Sequence, residues 1–86
     1  MIEVQRVSDT KFEVTVKSGS TTQHTVTVSD DYHQELTGGA VSKEDLLKRS
    51  FEFLLEREPN TAILRTFDLP VISNYFPEYE QTIKAG

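Results

Sequence analysis

The segment Ser50-Phe51-Glu52-Phe53-Leu54-Leu55-Glu56-Arg57-Glu58-Pro59 runs directly into Asn60-Thr61-Ala62-Ile63-Leu64-Arg65-Thr66-Phe67-Asp68-Leu69-Pro70-Val71-Ile72-Ser73-Asn74-Tyr75-Phe76-Pro77. It reads as a long helix stopped by proline, then as short helices separated by proline and aspartate signals. Leu46, Leu47, Phe51, Leu54 and Leu55 form one apolar stripe at helical spacing, while Lys43, Glu44, Lys48, Arg49, Glu52 and Glu56 occupy most of the remaining surface. The stripe is expected to pack on a sheet, with Phe53 to one side where it meets the final helices. Ser42 is the expected N-cap, Asp45 at the third helical position makes a weak capping-box variant, and Val41 stands at staple spacing from Leu46. Pro59 ends the helix because Glu58, preceding it, is pushed out of helical geometry. Asn60 is expected to cap a helix over residues 61–66, and Asp68 a following helix with Pro70 in its first turn. Pro77 is expected to open a last helix over residues 77–84.

Upstream the period changes. Residues 2–7, 11–17 and 22–29 are rich in Val and Thr and alternate with period two, and turn chemistry separates them at Ser8-Asp9-Thr10 and Ser18-Gly19-Ser20-Thr21. They read as a three-stranded antiparallel meander. Phe12, Val14 and Val16 share one face of the middle strand and Lys11, Glu13, Thr15 and Lys17 the other, as in a sheet covered on one side only. His24, Val26 and Val28 join the covered face, with Ile2 and Val4 opposite. Ser29-Asp30-Asp31 supplies caps and early carboxylates for a short helix over residues 31–36, which Thr37-Gly38-Gly39 closes. The expected fold is therefore α+β in a single domain over residues 1–86, a meander over 1–29 followed by a helical half over 30–86.

With 86 residues the chain is long enough to fold as one domain yet near the size where one core is marginal. It has no cysteine, so its stability must come from packing or association rather than from disulfides or thiolate metal sites. Charged residues at 27% and hydrophobic residues at 36% are ordinary globular values. Glu3, Arg6 and Asp9 interrupt any apolar run at the start, and no segment approaches the roughly 20 apolar residues of a membrane span. A cytoplasmic protein without membrane attachment is expected. The net charge of −5 lies wholly in residues 30–86, because the three cations and three anions before them cancel. That acidity argues against a nucleic-acid partner, whose phosphates are met mainly by Lys and Arg.

Residues 60–76 have the cadence of a helix-turn-helix, in which a recognition helix from Pro70 would offer Ser73 and Asn74 to base edges. Arg65 is the one cation there, balanced by Asp68 and flanked by Glu56, Glu58, Glu78 and Glu80, so DNA binding is only the alternative reading. His24 and His33 match no familiar ligand spacing, and a hydrogen-bonded histidine is the expectation for each. Glu56 with Glu58, and Glu78 with Glu80, diverge on a helix and do not make an acid and base pair. Hence no catalytic, cofactor-binding or metal-ligating residue is assigned, and no enzymatic activity or cofactor is expected. Tyr75 and Tyr79, interleaved with glutamates beside Phe76, could offer an aromatic docking surface, but the favoured reading is that Phe76 and one tyrosine complete the core, because so small a domain needs nearly every large side chain to fill it. Arg65, Ser73, Asn74, Tyr75 and Tyr79 together form the candidate interaction surface. The expected role is a non-enzymatic interaction or regulatory module with a protein partner, or one acting as a homodimer through a free strand edge.

The run Arg49-Ser50-Phe51-Glu52-Phe53-Leu54-Leu55-Glu56-Arg57-Glu58-Pro59, with Ile63-Leu64, Phe67-Asp68-Leu69-Pro70-Val71-Ile72 and Tyr75-Phe76-Pro77-Glu78-Tyr79-Glu80, resembles a family of short uncharacterised bacterial proteins. The resemblance covers about the second half of the chain. It implies a shared fold and carries over no activity and no site residue.

Overall fold

In the computed structural model, which describes residues 1–85, the alternating segments become β1 (Ile2–Arg6), β2 (Lys11–Ser18) and β3 (Ser20–Thr27), paired antiparallel. Ile2 stands across from Val16 and Val4 across from Val14, so the apolar side chains of neighbouring strands meet on one face. The β2–β3 turn is tighter than its composition implies. Both strands continue to Ser18 and Ser20, leaving Gly19 alone at the tip with φ of 75°, a conformation that costs glycine little.

The meander is not the whole sheet. Thr66–Asp68 forms a fourth strand, β4, lying parallel to β3 and completing the order β1-β2-β3-β4. The helix expected over residues 61–66 is instead a 3₁₀ turn at Asn60–Ala62 that leads into this strand, and Asp68 lies in the strand rather than capping a helix. The helix-turn-helix cadence expected over residues 60–76 is accordingly not formed. Phe67 explains the outcome: as a strand residue beside Val26 it enters the core, whereas the outward Thr66 and Asp68 remain exposed.

Helix α1 (Asp30–Thr37) starts where the Ser29 hydroxyl accepts the Tyr32 N–H and stops at Gly38, whose φ of 64° provides a left-handed cap. Helix α2 (Lys43–Leu55) starts with Ser42 Oγ accepting the Asp45 N–H at 3.0 Å. Its stripe of Leu46, Leu47, Phe51 and Leu54 is buried as expected, with Leu55 partly so, and Phe51 packs at a tilt against the His24 and Phe67 rings. Lys43 departs from the solvated position that its charge implies. It is buried, with its ammonium donating to the Asp9 carbonyl at 2.6 Å and to the Asp30 carboxylate, which holds Asp30 below its usual range. Helices α3 (Val71–Tyr75) and α4 (Tyr79–Ala85) close the far end of the core. Phe53 meets this end, lying edge-on to Phe76, the C-cap of α3, at 5.9 Å and to Tyr79 of α4 at 5.2 Å between ring centres. Among the described residues no helix is long and apolar enough to cross a membrane.

Candidate functional site

The end of α2, the 3₁₀ turn, β4 and α3 converge around an apolar groove of about 250 Å³. Its floor is made of Leu54, Ile63, Phe67 and Ile72, each buried by the local pattern that places it inward. Leu64 and Tyr75 line the same groove but remain 46% and 65% exposed. Glu58 supplies a carboxylate to the lining, and no lysine or arginine among the described residues pairs with it. The volume falls short of the roughly 300–1,000 Å³ of a typical small-molecule site, so the groove suits one or two side chains of a protein better than a cofactor.

The wall formed by residues 60–64 is held by a buried polar chain that runs through the sheet. His24 Nδ1 lies 2.7 Å from the Leu64 carbonyl oxygen, and its Nε2 lies 2.9 Å from Thr22 Oγ1. A carbonyl only accepts, so Nδ1 carries the hydrogen and Nε2 accepts from the Thr22 hydroxyl. Thr22 Oγ1 in turn accepts from Asn60 Nδ2 at 3.1 Å, and the same amide donates to the Ser20 carbonyl at 3.0 Å. Every member thus has a partner, and no buried side-chain polar atom among the described residues is left without one. Burial in this environment, followed by the nearby charge of Arg65, lowers the His24 pKa, while the bond to Leu64 opposes the shift.

A second clasp fixes the end of α2. The Arg57 guanidinium lies 3.6 Å over the Phe53 ring, donates to the Phe53 carbonyl at 3.0 Å, and bridges to Glu78 at 3.2 Å. The Glu78 carboxyl is held below its usual range by its own backbone N–H and by Arg57. No protein-family model, curated protein or solved structure matches the chain.

Of the five residues assigned to an interaction surface, the structure places only Tyr75 in the groove. Arg65 and Asn74 are exposed outside its lining, and Ser73 turns back to donate to the Pro70 carbonyl at 2.7 Å. Tyr79 is fully buried and is corrected from surface to core. Since the Ser50 hydroxyl donates to the Leu46 carbonyl, the Tyr79 hydroxyl is the donor in its 2.6 Å contact with Ser50 Oγ. Leu64 and Glu58 were missed, because one reads as a helix-face leucine and the other as a solvated charge. No local signal sets Leu64 apart, since Ile63, Leu64 and Phe67 stand at helical spacing and would share one face of a helix. His24 and His33 lie on different elements and each bonds a backbone carbonyl, His33 Nε2 to Val41 at 2.6 Å. Among the described residues, no three His, Asp or Glu side chains gather where they could hold a metal.

Proposed function

We propose that the protein is a non-enzymatic, cytoplasmic interaction module that binds a partner protein through the groove between α2, β4 and α3. The observation that carries this reading is the pairing of a preformed apolar groove with two large hydrophobic side chains, Leu64 and Tyr75, that stand exposed on its walls. Burying such residues stabilises a complex, and tyrosine is among the residues that most often dominate interface energetics. A fully satisfied polar chain behind the wall and the Arg57 clasp beside it keep the groove formed in the absence of a partner, which limits the ordering cost of binding.

The test is affinity capture with the tagged full chain and with a Leu64→Ser/Tyr75→Ser double variant, whose exposed positions leave the denaturation midpoint unchanged. A stoichiometric protein recovered on the wild-type chain and lost on the variant supports the reading. A protein recovered equally on both places the contact elsewhere and overturns it. Recovery of nucleic acid that is released as salt rises overturns it in favour of the DNA-binding alternative.

A further inference from the structure

Strand β4 is an edge of the sheet, and its hydrogen-bond directions follow from its parallel pairing with β3. The Arg65 carbonyl accepts from Thr25 N–H at 2.7 Å and the Leu69 N–H donates to the Thr27 carbonyl at 2.9 Å. Backbone groups alternate sides along a strand, so the N–H and C=O of Thr66 and of Asp68 point away from β3, where no described strand lies. The Phe67 side chain, between these two residues, lines the groove. The groove therefore lies on the covered face beside the position that a fifth strand would occupy. The other edge, β1, is differently furnished: Arg6 at its end is engaged with Glu44 and Asp9, and Glu3 with Lys17.

We infer that the partner segment is an extended peptide that adds to the outer edge of β4, placing an apolar side chain in the groove and a lysine or arginine against Glu58. The inference rests on the groove being the docking surface. The free N–H and C=O groups of Thr66 and Asp68 supply main-chain pairing, and alternate side chains of an added strand fall on the groove side. The sign of the recognised charge follows from Glu58, the one carboxylate in an otherwise apolar lining, with no lysine or arginine among the described residues paired to it. A helix laid in the groove would leave the outward N–H and C=O groups of β4 to water, and an acidic segment would meet Glu58 as a like charge.

The probe is a phage-displayed library of random linear peptides selected on the full chain, with the tightest sequence then synthesised. The expected selection shows apolar residues at alternate positions with one lysine or arginine. Glu58→Gln is expected to weaken that peptide about fivefold, the size of a partly exposed ion pair. Thr66→Pro removes only an outward N–H, a substitution an edge strand tolerates, and is expected to weaken binding at least about tenfold. Should Thr66→Pro fail to fold, N-methylation along the peptide gives the same reading, with binding lost at every second residue and retained between. Selected apolar residues at helical spacing, with indifference to Thr66→Pro and to N-methylation pattern, overturn strand addition but leave the groove as docking surface. Selected acidic sequences, or a peptide insensitive to Glu58→Gln, overturn the charge assignment. Peptides that bind Leu64→Ser/Tyr75→Ser as tightly as wild type overturn the groove itself, and the inference with it.

Discussion

Removing the Asn60 carboxamide takes the donor from Thr22 Oγ1 and from the Ser20 carbonyl in one step, while Thr22 and His24 stay buried. Stranding buried acceptors costs about 1–3 kcal/mol, so Asn60→Ala is expected to lower the stability from urea denaturation by that amount. An unchanged midpoint would show that water replaces the amide and that the chain to His24 is not structural. Asn60 reads as a helix cap in the sequence because asparagine after proline so often serves its own turn. Here the side chain serves a hairpin some forty positions upstream, and nothing local records that. His24 carries a second consequence of the same network. Its folded-state pKa lies below the ordinary 6.5, mainly through burial, so the unfolded chain takes up the proton first. Stability is therefore whole above about pH 6.5 and is lost as pH falls from there through the folded-state value. Denaturation midpoints between about pH 7.5 and about pH 5.5 are expected to decline for the wild type and to stay flat for His24→Gln. The depressed carboxyls of Asp30, Glu44 and Glu78 lose their contribution only in the carboxylate range nearer pH 4, so the two effects separate along the titration.

Among the elements, α2 is the one that local chemistry specifies most fully. Its cap, its first-turn carboxylates, its stripe and its proline stop all agree, and the helix begins at the expected residue. Phe51 sits at the centre of that stripe with no exposed surface, against the His24 and Phe67 rings. Phe51→Ala is expected to cost roughly 3–5 kcal/mol, read as a shift in denaturation midpoint, and a shift under about 1 kcal/mol would mean that the stripe is not the centre of the core. Strand β4 is the opposite case. Three residues between turn signals carry no usable period, and Ile63, Leu64 and Phe67 fit helical spacing as well as any other. What makes them extended is the pairing with β3, together with the burial of Phe67 beside Val26, and both are contacts far away in sequence. The groove inherits that difficulty. Its floor residues are recognisable as apolar, but the meeting of Leu64, Tyr75 and Glu58 on one surface depends on β4 being a strand. Lys43 was hidden for a related reason, since a lysine at the first turn of a helix reads as solvent-facing until α1 brings Asp30 beside it.

The molecule as a whole closes its core with its last helix. Tyr79 and Ile83 of α4 are buried in the common apolar cluster, Tyr79 donates to Ser50 inside α2, and the Tyr32 hydroxyl of α1 donates to Glu80 at 2.8 Å. Burial, reinforced by the Glu80 contact, raises the Tyr32 pKa, so this bond persists through any pH at which the protein is folded and Glu80 is ionised. Elements that are far apart in sequence are thus tied through one short C-terminal segment, and the fold should behave cooperatively rather than as a meander with a detachable helical half. A chain of 86 residues has a stability on the order of 5–15 kcal/mol, and losing each of two large buried side chains costs about 2–5 kcal/mol before cavity water is considered. Truncation after Glu78 is therefore expected to abolish the cooperative denaturation transition and the near-ultraviolet circular dichroism of the tyrosines and phenylalanines, while leaving much of the far-ultraviolet signal. The contrary outcome, a sharp transition with a midpoint close to that of the full chain, would mean that β1–β4 and α2 hold their own core. In that event α4 is a lid on the molecule's end, and the burial of Tyr79 and Ile83 is not what makes the fold cooperative.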